Sequence, residues 1–422
     1  MTLPPLVLSG PLFPKYAGNC APSATKKASG ESKWRGHSNV ATGKRGANRG
    51  GIIVRKAIFA GAVILISVFA AARIAHQGSS AQIQTQSQTL LFDDPPFRKA
   101  ANYSREHRGL SILVIKDGKT VFEEYHNGHT ATTAWTLASG TKSFSGVILA
   151  AAIEDKLFAG FDEKVSETIT EWKNDPRRSQ ITLRQLLQLT SGVTTGLTAV
   201  PPTYSAAIKG EIVADAGKEF RYGATAFQIF GEVMRRKLAP RRESVRQYLE
   251  RRILDPIGAS VARWNEQEGQ PNLPSGAYMT TREWAKFGLL LLNEGQWEGK
   301  RVIRKDLLAE LYKGSEANPN YGITFWLNRY HGGETTARVE GAGRRGILRR
   351  LGMRGEPAFE RVSGYGFGRD LPHDVFAAAG GGNQRLYVIR SRGLLVVRQG
   401  RLAKFDDEHF LGLLLSEKSV LP

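Results

Sequence analysis

The sequence predicts an α/β fold, in which an antiparallel sheet is built from both ends of the folded part, flanked by helices, with a helical lobe inserted. Three observations support this prediction. A strand pair is indicated around Asp117-Gly118 and a second pair around Ser391-Arg392-Gly393, and the long segment between them has apolar residues at helical spacing. An internal repeat is not visible in the sequence.

Two hairpins are expected to supply the strands. Residues 111–116 and 119–122 are rich in β-branched and apolar side chains, and Asp117-Gly118 separates them. This dipeptide favours a tight hairpin because both of its residues tolerate a positive φ angle. Near the other end of the chain, residues 386–389 and 394–397 form a second such pair of runs. The two hairpins would meet in one sheet.

The predicted helices lie between and after these strands. Apolar side chains recur there every three or four residues, which is the spacing of one buried helix face. The sets are Phe144/Val147/Ile148/Ala151, Leu183/Leu186/Leu187, Phe227/Phe230/Val233/Met234 and Trp284/Phe287/Leu291. A last helix is expected at 405–415. We expect one domain at 97–418, with the sheet lobe at about 97–150 and 365–418 and the helical lobe at about 151–364.

The first 96 residues differ in character from the rest. Residues 1–53 are rich in Gly, Ser, Lys and Arg without periodicity, which is typical of a disordered basic leader. Residues 57–72 are 16 residues without charge, preceded by Arg55 and Lys56. Such a run is short for a spanning helix, which needs about 20 residues, but it fits the apolar part of a signal sequence.

We therefore expect 54–76 to be a signal peptide or membrane anchor and 77–96 to be a linker, with a buried core helix as the alternative for 57–72. Export would place the protein in a bacterial cell envelope, periplasmic or extracytoplasmic. Because a signal peptide normally begins at its basic end, translation is hypothesised to start at Val54, so that 1–53 would not be made in the cell.

Charge and cysteine content restrict the function classes. The formal net charge is +20, of which residues 1–56 contribute +9. This excess would suit an anionic polymer or lipid, but no basic module with interleaved aromatics accompanies it, so no nucleic-acid partner is expected. The one cysteine is Cys20, which excludes an intrachain disulfide and, in the folded part, thiol catalysis. The sequence leaves the oligomeric state open.

Ser139-Gly-Thr-Lys142 is the candidate catalytic motif. Serine is a weak nucleophile at neutral pH and needs a base to take its proton. On a helix, residues three apart share a face, so the Lys142 amine can reach the Ser139 hydroxyl. A lysine acts as a base only where burial or a nearby positive charge lowers its pKa. The same tetrapeptide pattern occurs at Ser23-Ala-Thr-Lys26, so the surrounding sequence has to decide between them.

That surrounding sequence resembles the serine hydrolases of the β-lactamase and penicillin-binding-protein superfamily, especially the branch with class C β-lactamases, esterases and 6-aminohexanoate-dimer hydrolases. The similarity runs from about residue 97 to residue 400. The matching segments occur in family order and are Leu137-Ala-Ser-Gly-Thr-Lys-Ser-Phe144, Leu186-Leu-Gln-Leu-Thr-Ser-Gly192, Phe220-Arg-Tyr222, Gly276-Ala-Tyr-Met279, Tyr321-Gly-Ile-Thr-Phe-Trp326 and Ala378-Ala-Gly-Gly-Gly-Asn-Gln384.

The resemblance implies a β-lactamase/transpeptidase-like fold and a role for each site residue. Ser139 would be the nucleophile at a helix N-terminus, and Lys142 would be the general base. Tyr222 would relay a proton to the leaving group. The alternatives are a helix N-cap for Ser139 and a core aromatic for Tyr222. No cofactor is implied.

The same resemblance identifies two substrate-contacting elements that differ here. Ala224 stands where the family's Tyr-x-Asn element has its asparagine, so a polar substrate contact is missing. Ala378-Ala379-Gly380 aligns with the Lys-Thr-Gly element and lacks its basic residue. Gly380 would still allow close approach to the nucleophile, and the backbone N–H groups of Ser139 and Gly381 would form the oxyanion hole. The alternative for this segment is an ordinary glycine-rich turn.

Three further patterns are set aside. Gly341-Ala-Gly-Arg-Arg-Gly346 matches a dinucleotide-binding pattern, but no apolar strand precedes it. His126 and His129 lack a third metal ligand, so no metal site is expected. No Gly-x-Ser-x-Gly elbow is present, which argues against the α/β-hydrolase fold. Six arginines are expected to form a solvated loop face, with one or two of them lining the cleft as the alternative: Arg338, Arg344, Arg345, Arg349, Arg350 and Arg354.

The sequence thus predicts a serine hydrolase that cleaves an ester or amide bond in a small-molecule or peptide-like substrate through an acyl-enzyme. Ala224 and the missing basic residue make a β-lactam substrate less favoured. Two alternatives stay open. One is a peptidoglycan D-alanyl peptidase or β-lactamase-like enzyme. The other is a non-catalytic protein that binds the cell wall and keeps the fold.

Overall fold

The structure is a computed structural model that describes residues 95–196, 200–329 and 366–416. Its α-helices are α1 Pro95–Glu106, α2 Lys142–Glu154, α3 Leu183–Leu187, α4 Tyr204–Ala207, α5 Thr225–Leu238, α6 Val245–Leu249, α7 Thr281–Leu292, α8 Lys305–Glu310 and α9 Asp407–Leu415. Its strands are β1 Gly109–Lys116, β2 Lys119–Tyr125, β3 Trp135–Thr136, β4 Arg263–Trp264, β5 Glu266–Gln267, β6 Gln270–Pro271, β7 Ala277–Met279, β8 Gln296–Trp297, β9 Lys300–Arg301, β10 Trp326–Leu327, β11 Val375–Gly380, β12 Gln384–Ile389 and β13 Leu394–Gly400.

One six-stranded antiparallel sheet organises the fold. Its strand order is β10-β11-β12-β13-β1-β2, so strands from the two ends of the described chain meet where β1 pairs with β13. Both predicted hairpins are present. Asp117 and Gly118 have φ angles of 48° and 79°, the left-handed values that a two-residue hairpin turn of this kind requires. The predicted antiparallel sheet is therefore confirmed.

Helices cover both faces of this sheet. On one face, α7 packs so closely against β12 and β13 that a Cβ on Gly288 would lie 2.5 Å from the Leu395 side chain. On the other face, α1 and α9 pack against each other. Because side chains alternate along a strand, Leu386 and Leu395 face α7, whereas Arg385 and Arg398 face α1 and α9. The result is a three-layer α/β arrangement.

Helix α2 lies on the α7 side and carries the candidate motif. Its residues from Lys142 to Ala152 are all buried, and the Phe144 ring lies 4.6 Å from the ring of Phe287 in α7. A small sheet of order β3-β7-β4 lies beside the turn that leads into α2, since Leu137 N donates to Ala277 O of β7 at 2.9 Å. The core therefore fixes this helix and the turn before it.

The last helix starts later than the sequence indicated. It begins at Asp407 because the Asp406 side chain accepts a hydrogen bond from His409 N and acts as N-cap. Phe405, expected inside the helix, instead packs its ring 5.5 Å from that of Tyr103.

Several sequence predictions lie outside the described residues. These are the leader 1–53, the segments 54–76 and 57–72, nearly all of the linker 77–96, the arginine-rich stretch and the Gly341–Gly346 pattern. Within the described ranges, no helix is long and apolar enough to cross a membrane. The division into two lobes stays a prediction, and the structure adds that β10 of the sheet comes from the segment assigned to the helical lobe.

Candidate active site

Ser139 lies in a 3-10 turn, Ala138–Thr141, that runs directly into α2. The turn begins with Ala138 at a φ angle of 45°, a left-handed value that is unfavourable for a residue with a Cβ. Hydrogen bonds hold it there, since Ala138 N donates to Thr136 Oγ1 at 3.0 Å and Ala277 N donates to Thr141 Oγ1 at 3.2 Å. Neither the turn nor α2 has a side-chain cap, so the Ser139 hydroxyl is not used as an N-cap.

The Lys142 amine lies next to this hydroxyl. Its Nζ donates to Ser139 Oγ at 3.2 Å and to the carbonyl oxygen of Pro274 at 2.9 Å. The lysine is 1% exposed and the serine 9% exposed. Two aromatic rings also lie close to the lysine amine, with Nζ 5.0 Å from the ring centroid of Tyr222 and 5.2 Å from that of Phe227. The predicted serine and lysine are thus in contact within a nearly water-free site.

Tyr222 borders the same space. It is 5% exposed and belongs to an aromatic cluster, in which its ring lies 5.5 Å from Trp326 and 6.2 Å from Tyr321. Burial, together with the neighbouring Tyr222, raises the pKa of Tyr321 well above its usual value. Tyr321 therefore stays neutral, and its ring and that of Trp326 pack against the Tyr222 ring.

The glycine-rich turn after β11 passes beside the Ser139 turn. A Cβ on Gly380 would lie 2.1 Å from Leu137 O and 3.1 Å from Ser139 N, so only glycine fits this approach. The next residue, Gly381, has open space where a Cβ would be. The structure thus brings Gly380 against the Ser139 turn. The oxyanion hole formed by the N–H groups of Ser139 and Gly381 stays a prediction.

Ala224 and Ala378 are both buried, at 0% and 2% exposure. Ala224 N donates to Thr195 O at 2.6 Å, just before α5 begins. Its methyl group has no exposed surface, so the substrate-binding role assigned to Ala224 stays a prediction. The alignment of Ala378 with the basic residue of the family pattern also stays a prediction.

Two contacts of Lys142 were not found from the sequence. The Pro274 carbonyl accepts from its amine, and the Phe227 ring packs over it. Phe227 was assigned only to a buried helix face, and Pro274 precedes the Gly276 segment without any feature of its own. A backbone carbonyl leaves no signal in residue types, so only the folded structure shows it.

The two histidines that follow β2 lie beside other polar side chains. His129 Nε2 lies 3.2 Å from Gln399 Oε1, and burial lowers the pKa of His129. His126 Nε2 lies 3.4 Å from Glu124 Oε2. Among the residues that the structure describes, no group of three His, Cys, Asp or Glu side chains is arranged to hold a metal ion.

Comparison with known proteins agrees with this geometry. The family model described as Beta-lactamase matches residues 91–399. No curated protein sequence matches the chain significantly. Among solved structures, a penicillin-binding protein homologue from Caulobacter crescentus is 13% identical, with a TM-score of 0.54 over 76% of this chain and 95% of the other.

Two further structures have the same fold. A D-stereospecific amidohydrolase from Streptomyces is 15% identical, with a TM-score of 0.54 over 77% of this chain and 99% of the other. A family VIII carboxylesterase is 15% identical, with a TM-score of 0.54 over 76% of this chain and 95% of the other. Identities this low show the fold alone, whereas the family model matches most of the chain. This chain therefore belongs to the Beta-lactamase family, within the serine hydrolases of the β-lactamase and penicillin-binding-protein superfamily.

Proposed function

We propose that this chain cleaves an ester or amide bond by forming an acyl-enzyme on Ser139. The observation that carries the proposal is the 3.2 Å contact between Lys142 Nζ and Ser139 Oγ in a buried site. A base must lie within hydrogen-bond reach of the proton that it removes, and this pair meets that requirement. Lys142 is 1% exposed, and removal of an amine from water favours its uncharged form, which is the form that can accept a proton.

The proposed reaction has two steps. In acylation, neutral Lys142 takes the proton of Ser139 Oγ, and the oxygen attacks the substrate carbonyl. The Ser139 and Gly381 N–H groups stabilise the resulting oxyanion. Tyr222 relays the proton held by Lys142 to the leaving alcohol or amine as the carbonyl–heteroatom bond breaks, which returns Lys142 to its neutral form. In deacylation, a water molecule gives a proton to Lys142 and attacks the ester carbonyl. Lys142 then returns this proton to Ser139 Oγ as the serine–carbonyl bond breaks, which releases the acid and restores Ser139.

The substrate is proposed to be an ester or amide with a neutral acyl side. Ala378 and Ala224 place methyl groups where the family pattern has a cation and an amide. A carboxylate transferred from water to such a position without a partner is strongly disfavoured. The structural neighbours that include a carboxylesterase and an amidohydrolase support this substrate class.

Steady-state hydrolysis tests the proposal. Nitrophenyl esters of short neutral acids are expected to be hydrolysed by the wild-type chain and not by Ser139→Ala. A chromogenic cephalosporin and peptidoglycan stem peptides are the comparison substrates, and both are expected to react more slowly. Faster turnover of either one would assign the site to a β-lactamase or a peptidase. Wall binding without any turnover would identify a non-catalytic binding protein.

A further inference from the structure

The carbonyl groups of the glycine-rich turn are all held by buried side chains. Arg385 Nη1 donates to Gly380 O at 3.2 Å, and Gln384 Nε2 donates to Gly381 O at 3.2 Å and to Gly382 O at 3.0 Å. Arg398 Nη1 donates to Asn383 O at 2.7 Å. These three donor residues are at most 2% exposed. Gly380 also pairs with Gln384 in the sheet. Because glycine has few conformational restrictions of its own, the side-chain bonds add to this pairing in restricting how the peptide groups of the turn are oriented.

Arg385 is itself held in place by an acidic residue. Its Nε and Nη2 donate to the two carboxylate oxygens of Asp407 at 2.6 and 2.9 Å, in the first turn of α9. The Tyr387 hydroxyl donates to the same carboxylate. Burial alone would raise the pKa of Asp407, but the Arg385 guanidinium outweighs it and holds the pKa below its usual value. Nη1 of the same planar guanidinium donates to Gly380 O and to Gln384 O.

The orientation of Gly380 O determines that of the next N–H. A trans peptide is planar, so its C=O and N–H point in opposite directions. The Gly380 carbonyl points towards Arg385 on β12, and hence the Gly381 N–H points away from β12. On that side β10 pairs with Phe376 and Ala377, and among the residues that the structure describes no strand pairs with the end of β11, which lies beside the Ser139 turn.

We propose that Arg385, fixed by Asp407, is a positioning residue that aims the Gly381 N–H into the oxyanion hole. This inference rests on the proposed acyl-transfer function, because it assigns the second oxyanion donor of that site. Arg385 does not touch the substrate. It acts through one hydrogen bond to Gly380 O and one planar peptide. Replacing both members of a buried ion pair by uncharged side chains costs much less stability than removing one, and here it would take away the side-chain restraint on this peptide.

The test removes the charge pair as a unit, so that neither charge is left buried alone. The variant is Arg385→Met with Asp407→Asn. The chain offers a matched control, in which Arg252 Nε donates to Asp155 Oδ1 at 3.0 Å and the Tyr248 hydroxyl donates to Asp155 Oδ2 at 2.8 Å. This second Arg–Asp–Tyr group lies among the helices and not beside the glycine-rich turn. The control variant is therefore Arg252→Met with Asp155→Asn.

Two measurements are compared for each variant. The first is kcat/KM for a nitrophenyl ester and for the matching thionoester, because a thiolate-like transition state gains less from oxyanion donors than an oxyanion does. The second is hydrogen exchange of the amides of 381–383. Removing one oxyanion donor costs about 10²–10³-fold. In the Arg385 variant the donor is present but wrongly oriented, so we expect kcat/KM for the ester to fall roughly 10–100-fold, mainly through kcat. We also expect a smaller ester-to-thionoester rate ratio and faster exchange of the turn amides.

The control is expected to keep the wild-type rate ratio and the wild-type exchange of the turn. The proposal is overturned if the Arg385 variant, with native circular dichroism, keeps either the exchange rate of 381–383 or the ester-to-thionoester ratio. If it does not fold, Arg385→Lys replaces it, since lysine keeps the charge near Asp407 without the fork. If the wild-type chain hydrolyses no ester but the variant still exchanges the amides of 381–383 faster, the proposed function is refuted. The restraint that Arg385 places on the turn would then be established by itself.

Discussion

At the scale of single residues, the site depends on the burial of the Lys142 amine. One hydroxyl, one carbonyl and two aromatic rings contact it, and the residue is 1% exposed. The Tyr222 ring is one of these two, with its centroid 5.0 Å from Nζ. We expect its hydroxyl to pass protons between the lysine and a leaving group.

Tyr222 has a matched control in Tyr321, which lies in the same aromatic cluster and is equally buried. Tyr222→Phe is expected to lower kcat for an ester with a poor leaving group by about 10²-fold, because general-acid help is lost. An activated nitrophenyl ester should lose less, since its leaving group needs no proton. Tyr321→Phe is expected to change both rates by less than about threefold. Equal losses for the two variants would show that Tyr222 acts only in packing.

At the scale of elements, the end of β11 and the Ser139 turn fit together through one glycine. Gly380→Ala would place a methyl group 2.1 Å from Leu137 O, a backbone atom that cannot easily move. We expect it to lower the melting temperature and to reduce ester hydrolysis at least about 10²-fold, as loss of an oxyanion donor does. Gly381→Ala is the control, since its Cβ would meet open space. Gly381→Ala should fold as the wild type does, and an inactive but fully stable Gly380→Ala would contradict the steric explanation.

Asp407 in α9 makes the free energy of unfolding depend on pH. Its pKa is lower in the folded chain than the unfolded value of about 3.9, so its ionised form stabilises the fold at all pH values above that value. This stabilisation is lost as the pH falls through the lower folded pKa. Asp407→Asn should therefore be less stable than the wild type at pH 7, and the difference should shrink below about pH 4. Urea unfolding at several pH values measures this, and a difference independent of pH would contradict it.

The sequence predicted these elements unevenly, for physical reasons. The two hairpins and the Ser139–Lys142 contact follow from local rules, namely Asp-Gly turn chemistry and the i, i+3 spacing of a helix. The contacts of Lys142 with Pro274 and of Arg385 with Asp407 join residues 132 and 22 positions apart. Such pairs depend on how the strands are ordered in the sheet, and a carbonyl such as that of Pro274 is present in every residue. Local patterns therefore cannot reveal them.

At the scale of the whole molecule, the two ends of the described chain are fastened together. Arg398 Nε donates to Ser104 Oγ of α1 at 2.9 Å, and Asp406 N donates to the Tyr103 hydroxyl at 2.9 Å. The Phe97 ring of α1 lies 6.2 Å from the Phe122 ring of β2. Helix α1 thus covers the sheet where β1 and β13 pair. It therefore belongs to the folded domain and not to the segment before it.

Truncation tests this assignment. The contacts within the chain define a compact unit from Gln84 to Pro422. A chain that begins at residue 84 is expected to fold and to keep its ester hydrolysis. A chain that begins at residue 108 lacks α1, exposes Phe122 and leaves the Arg398 guanidinium without the Ser104 hydroxyl. Its melting temperature should be lower by roughly 5 °C or more. Equal thermal stability of the two chains would contradict the role given to α1.

The central claim is that Ser139 is a nucleophile activated by Lys142. Intact-mass spectrometry after treatment with a fluorophosphonate probe tests it most directly. The account predicts one adduct per chain, located on the peptide that contains Ser139, absent in Ser139→Ala and formed at least about 10²-fold more slowly in Lys142→Met. Ser143→Ala, on the same helix, is the control and should react like the wild type. No adduct on Ser139, or one formed equally fast in Lys142→Met, would contradict the account.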